Sequence, residues 1–337
     1  MWNRPELFYC SNVHQSEALS EVQSVLDLHI PAVKRLRALS SIHSGLWLSN
    51  RAAGELLRNG GNLDAFQEKL TSHNILLSSL NGFPYGDFHS ASVKDRVYQP
   101  DWAEQHRLDY TVNLARILAT CMTGSRQTGS ISTLPLGVRH NWSESRHEQA
   151  LRLICTAVRE LVRLQDDTGH RIRLCLEMEP GCVLEHTGET LRLFRDELPA
   201  VAQHAGLDEQ AIANHLGVCF DVCHQAVMFE DPYDSLQRLH RQGIAIGKIQ
   251  LSSALEAAQP ESPGVRAALA AFQEQRYLHQ VVTVAENGRT QGVPDLPEAL
   301  ESRTFPRHTP WRIHFHLPVQ LATLDNADLG TTQHAIG

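Results

Sequence analysis

Short apolar runs alternate with longer stretches of helical periodicity along the whole chain. The apolar runs at 7–10, 45–48, 75–80, 130–136, 173–178, 217–222, 246–251 and 311–317 have the length of strands. Between them, helices are expected at 17–39, broken at Pro31, at 51–72, divided at Asn59-Gly60-Gly61, and at 103–122. A further helix opens on Ser145 and Glu148 at capping-box spacing and carries an apolar stripe of Leu151, Ile154, Val158, Leu161 and Val162. Others follow at 189–203 and 265–275. Strand and helix in strict turn predict an α/β protein with a parallel sheet, and eight strands are the number that closes a (β/α)8 TIM barrel. No composition shift divides the chain, so residues 1–337 are read as one barrel domain. A doubly wound open sheet is the competing fold, but no glycine-rich dinucleotide fingerprint follows the first strand.

Alternation within the late strands separates two faces. Leu174, Leu176 and Met178 oppose Cys175, Glu177 and Glu179; Val218 and Phe220 oppose Cys219 and Asp221. Ile249 and Leu251 oppose Lys248 and Gln250, and Ile313, Phe315 and Leu317 oppose His314 and His316. The apolar face is expected to meet the helices. The polar face places Glu177, Asp221, Gln250 and His316 at the C-terminal strand ends, where barrels carry their active sites. Four polar side chains in one mouth are costly to bury unpaired, and a divalent ion would satisfy them. His224, three residues beyond Asp221, reaches the same site if the chain turns after Val222. The mixed nitrogen and oxygen set suits zinc, manganese, iron or magnesium. Gln250 reads equally as a substrate contact, and His314 as a substitute for His316. The loop Asn81-Gly82-Phe83-Pro84-Tyr85-Gly86-Asp87-Phe88-His89 offers Asn81 and His89 as substrate contacts, with His14 and His314 as further ones.

Composition narrows the function classes. A net charge of −8 and a pI near 6.2 argue against a broad nucleic-acid footprint. Seven cysteines, an odd number without a C-x-x-C pair, read as reduced buried thiols, which suits the cytoplasm. No signal peptide is read at the start, and no apolar run reaches transmembrane length.

The runs Leu176-Glu177, Gly217-Val218-Cys219-Phe220-Asp221-Val222-Cys223-His224 and Lys248-Ile249-Gln250-Leu251 resemble the xylose isomerase-like TIM barrel superfamily of sugar isomerases, epimerases and endonuclease IV. Within it, Tyr9-Cys10-Ser11-Asn12-Val13-His14, the Asn81–His89 loop, Ser130-Ile131-Ser132-Thr133-Leu134-Pro135 and His314-Phe315-His316-Leu317-Pro318 resemble the metabolite traffic protein EboE family. The resemblance implies one metal held by Glu177 and Asp221 with His224 close by. It departs at Gln250, where the superfamily has histidine, and after His316, where no strand brings the superfamily's last glutamate. Either Trp311–Leu317 is the eighth strand or the barrel is shortened and open; the second reading is preferred.

Three functions compete. A metal-dependent isomerase or epimerase would polarise the carbonyl of a small polyhydroxy metabolite, with Glu177 as catalytic base. A trafficking protein of the EboE type would bind a small-molecule metabolite and meet membrane-protein partners. A metal-dependent phosphodiesterase ranks last, because Ser, Leu and Thr stand on the third and fourth strands where such nucleases carry histidines.

Overall fold

A computed structural model describes residues 7–122, 127–324 and 329–336. Seven strands form a parallel sheet in sequence order: β1 (Tyr9–Cys10), β2 (Ile42–Trp47), β3 (Ile75–Asn81), β4 (Thr128–Thr133), β5 (Arg171–Glu177), β6 (Leu216–Asp221) and β7 (Ile246–Gln250). Helical segments lie between successive strands, and the longest, Glu144–Thr168, buries Leu151, Ile154, Val158 and Leu161. Its N-cap is Ser143, whose side chain accepts from Arg146 N, two residues earlier than the capping-box spacing suggests. Pro31 stands in the first turn of the helix Ile30–Leu36, where its missing N–H costs nothing.

The parallel sheet curls. Residues of all seven strands line one cavity of about 1850 Å³, and Lys248 Nζ on β7 reaches Ser132 Oγ on β4 at 3.2 Å. The outward residues Ile131, Ile172, Leu174 and Leu176 are buried in the main core, and Val218 and Phe220 pack with Leu239 on the helix Pro232–Arg241. Inward stand Ser79, Asn81, Ser130, Ser132, Cys175, Glu177, Cys219 and Asp221. The two-face reading of β5 and β6 is therefore what the packing realises.

The eight-stranded barrel is not what forms. Trp311–Leu317 has the expected span but joins a second, antiparallel sheet ordered β10 (Thr290–Val293), β9 (Val281–Val284), β11 (Trp311–Leu317), β8 (Ser253–Ala257), β12 (Gly330–Thr331). β1 pairs with β2 and β7 with β6, so the curled sheet stays open between β1 and β7. The cause lies after β7. Two residues, Leu251 and Ser252, lead straight into β8 with no crossover helix, and a parallel eighth strand needs a crossover. The same fact corrects a second expectation: Ile249 and Leu251 meet no helix and remain 51% and 43% exposed.

The antiparallel unit has its own core of Leu255, Val265, Leu269, Val281, Leu296, Trp311 and Ile313, under the helices Pro263–Ala270 and Leu296–Glu301. It is fastened to the parallel sheet by polar links. Lys94 Nζ meets Asp295 Oδ2 at 2.6 Å, Gln280 Nε2 donates to Tyr98 Oη at 2.7 Å, and Arg312 Nη1 donates to Ala226 O at 2.8 Å. Strand alternation in β11 then sends Ile313 into this core and turns His314 and His316 toward the parallel sheet's open end. No helix among the described residues is long and apolar enough to cross a membrane.

Candidate metal centre at the open end of the sheet

Asp221 ends β6 and caps the next helix, Val222–Val227: its Oδ1 accepts from Cys223 N at 2.8 Å and His224 N at 3.2 Å. The helical turn begins one residue earlier than the sequence required and folds His224 back beside Asp221. His224 Nδ1 lies 2.7 Å from Met178 O. A carbonyl can only accept, so Nδ1 carries the proton and Nε2 presents its lone pair. Burial pushes the His224 pKa down to about 4, against the pull of the Asp221 carboxylate, so the ring is neutral at pH 7.

His224 Nε2 is buried without a hydrogen-bond partner. Around it stand Glu179 Oε2 at 3.1 Å and Asp221 Oδ2 at 4.0 Å, with the rings of His314 and His316 centred 4.6 and 5.3 Å from its own. His314 Nδ1 is held at 2.8 Å by Gln280 Oε1, whose own Nε2 is committed to Tyr98 and Pro180; Nδ1 is thereby the protonated nitrogen. The free Nε2 of His314 lies 3.0 Å from His316 Nε2. Three sets of ligand atoms fall within 4.8 Å of one another: Asp221 with His224 and His316, Glu179 with His224 and His314, and Cys223 with His314 and His316. His224 belongs to two of the three.

This donor set fits a divalent cation. The buried imidazole nitrogen turns its lone pair to the Glu179 carboxyl at 3.1 Å, where a cation can stand in place of that group's proton. Hydrogen bonds donated by His224 Nδ1 to Met178 O and by His314 Nδ1 to Gln280 Oε1 fix both ring orientations, as metal sites require.

The structure also places the remaining expected residues. Glu177 faces the cavity, its Oε1 accepting from Gln250 Nε2 at 2.6 Å while its Oε2 is buried and unpartnered. Burial and the Asp221 carboxylate push its pKa up to about 7. Gln250, expected at the metal, stands beside both carboxylates. Its Nε2 donates to Glu177 and, at 2.9 Å, to Asp221 Oδ2, and an amide N–H₂ has no lone pair to give. His314, expected as a substrate contact, stands in the histidine cluster. Asn81 and His89 line the cavity, with Asn81 Oδ1 held by Phe83 N and Ser132 Oγ, and His89 Nε2 at 2.9 Å from Asn12 O. His14 lies outside the cavity wall: its Nε2 meets Tyr9 Oη at 2.6 Å and its ring stacks on His29.

Glu179, Tyr98 and Gln280 were not singled out by the sequence. Glu179 is buried, accepts from Tyr98 Oη at 3.1 Å, and burial beside Glu177 holds its pKa well above the usual carboxylate range. The signal for Glu179 was its parity with Glu177. Tyr98 and Gln280 arrive from segments far away in sequence, and no local pattern marks them.

No family model matches the chain, and no curated protein matches it. Among solved structures it is similar to a D-tagatose 3-epimerase-like protein, at 17% identity over 67% of this chain and 73% of that one, with a TM-score of 0.42. It is similar to the IOLI protein with a bound zinc atom, at 11% identity over 70% and 69%, TM-score 0.41. It is also similar to 3-keto-D-glucoside 4-epimerase, YcjR, from E. coli, at 12% identity over 80% and 89%, TM-score 0.43.

Proposed function

We propose that the protein is a metal-dependent barrel protein of the isomerase or epimerase kind, acting on a small polyhydroxy carbonyl metabolite. The observation that carries this reading is the buried, unpartnered Nε2 of His224 among Asp221, Glu179, His314 and His316, at the edge of a large cavity. Asp221, His224 and His316, joined by His314 or Glu179, would hold the ion. Three imidazoles favour zinc, iron or manganese over magnesium. A divalent ion there supplies Lewis acidity toward a carbonyl or hydroxyl oxygen. Glu177 is the proton carrier: its Oε2 is free of protein partners, and a pKa near 7 lets it take up and return a proton at neutral pH. Gln250 orients that carboxylate through Oε1. Glu179, bonded by Tyr98, stays protonated until a cation replaces its proton.

The test is exchange chemistry. Metal-loaded protein incubated with a panel of aldoses and ketoses in deuterium oxide is expected to label a carbon next to the carbonyl, read by NMR, and Glu177→Gln is expected to abolish it. Labelling that survives Glu177→Gln removes Glu177 from the mechanism.

The second reading is metabolite binding and traffic of the EboE type with membrane-protein partners. Full metal occupancy with tight sugar binding and no exchange across the panel would select it.

A further inference from the structure

We propose that Lys248 anchors an anion-binding subsite inside the curled sheet, below the histidine and carboxylate cluster, that receives a carboxylate or phosphate group of the ligand. The inference rests on reading the cavity as a ligand site, and it is independent of the metal.

Lys248 lies two residues before Gln250 on the inner face of β7, roughly 7 Å toward the N-terminal end at about 3.3 Å per residue. Its ammonium reaches across the cavity to Ser132 Oγ at 3.2 Å. Among the described residues that is its one hydrogen bond, and it makes no ion pair. Two N–H donors are left for the cavity. The nearest carboxylate, Glu177, attracts it from the level above without forming an ion pair, and the nearest thiols do not neutralise it. Cys175 and Cys219 stand on the inner faces of β5 and β6, and burial pushes the Cys175 thiol up to about 12 and the Cys219 thiol well above its ordinary value, so both are uncharged.

A cation that faces a cavity with no direct ion pair and two unused donors is a ready partner for an anionic ligand. The surroundings are built to admit it. Ser79, Asn81 and Ser130 line the same cavity; Asn81 Oδ1 is already engaged, which leaves its Nδ2 as a donor. Small residues take the inner positions that closed barrels fill with branched side chains: a Cβ added to Gly45 would meet nothing closer than 3.8 Å. Deeper still, Arg173 lines the cavity with a buried Nε that has no acceptor. Two cations on the inner face select for an anion. The spacing between Lys248 and Gln250 suits a ligand whose anionic group is a few carbons from the group at the metal centre, such as a sugar acid or a sugar phosphate.

The experiment uses the full chain after chelator treatment, so that it reads the subsite apart from the metal. Melting temperature is followed with inorganic phosphate and, separately, with glycolate, each against chloride at equal ionic strength. The expected result is a rise of about 2–4 °C at tenfold excess over Kd with one of the two anions, the responding one naming the source of the charge. Lys248→Met should lose the rise, and Lys248→Arg should keep at least part of it. Ligand-free Lys248→Met should melt at or above the wild type, because an unpaired charge has been removed. No rise with either anion in the wild type, an equal rise in Lys248→Met, or a ligand-free Lys248→Met that melts well below the wild type would each overturn the proposal.

Discussion

Gln250 Nε2 donates to Glu177 Oε1 at 2.6 Å, joining the ends of β7 and β5 across β6. The same nitrogen serves Asp221, so one neutral amide separates two carboxylates that would otherwise face each other. Gln250→Leu removes both bonds and leaves the buried acceptors unmet. The metal-free variant is expected to lose about 1–3 kcal/mol at pH 8, read by denaturant unfolding. The loss should shrink at pH 5.5, where Glu177 is protonated and no longer repels Asp221. An equal loss at both pH values would show that the amide does not act through the carboxylates.

His224→Asn tests the ligand nitrogen. The shorter amide can still donate toward Met178 O but offers nothing at the position of Nε2. Chelator-treated variant and wild type should melt within a few degrees of each other, whereas added zinc should stabilise only the wild type. Equal zinc stabilisation of both would remove His224 from the centre.

The pH dependence of metal-free stability has two opposing parts. Glu177 rises from 4.5 to about 7 in the folded chain, so folding takes up a proton between those values and stability from this group falls as pH rises across that window. His224 drops from 6.5 to about 4, so the unfolded chain binds the extra proton there and stability falls as pH is lowered through that window. Between 4.5 and 6.5 the two largely offset. In Glu177→Gln the melting temperature should climb more steeply from pH 4 to 6.5 than in the wild type, and in His224→Asn it should decline more from pH 4.5 to 7. Parallel profiles for all three proteins would contradict the assignment. Metal affinity should increase as pH rises through 7, as Glu177 beside the site gives up its proton.

Arg107 supports the site from behind. It is fully buried, and donates through Nη1 to Gly82 O at 2.7 Å and Phe83 O at 2.9 Å and through Nε to Pro100 O at 2.8 Å. Burial lowers its pKa to about 10, so it remains charged at pH 7. These bonds fix the loop that carries Asn81 and His89. Arg107→Leu strands three carbonyls and is expected to cost at least about 2 kcal/mol, measured by chemical denaturation. A cost under about 0.5 kcal/mol would mean that water replaces the guanidinium.

Much of this was legible in residue order. Period-two alternation put Glu177 and Asp221 on the inner face and Leu176 and Phe220 outside, because one face of each strand had to meet helices. His224 was reachable because an aspartate at a strand end caps a helix. The direction of Trp311–Leu317 was not legible, since alternation is identical in parallel and antiparallel strands; only the two-residue step from β7 to β8 decides it. The run 253–257 was not recognised as a strand. The orientation of the Gln250 amide was not legible for a related reason: an amide has a donor and an acceptor end, and only its neighbours determine which faces the carboxylates. Tyr98 and Gln280 meet Glu179 and His314 through long-range packing alone.

The most direct measurement is elemental mass spectrometry of the purified, unsupplemented protein beside Asp221→Ala. About one zinc, iron or manganese per chain in the wild type, lost in the variant, is the predicted result. A wild type that carries no metal and takes up none on dialysis against these ions would contradict the metal centre, and with it the isomerase chemistry.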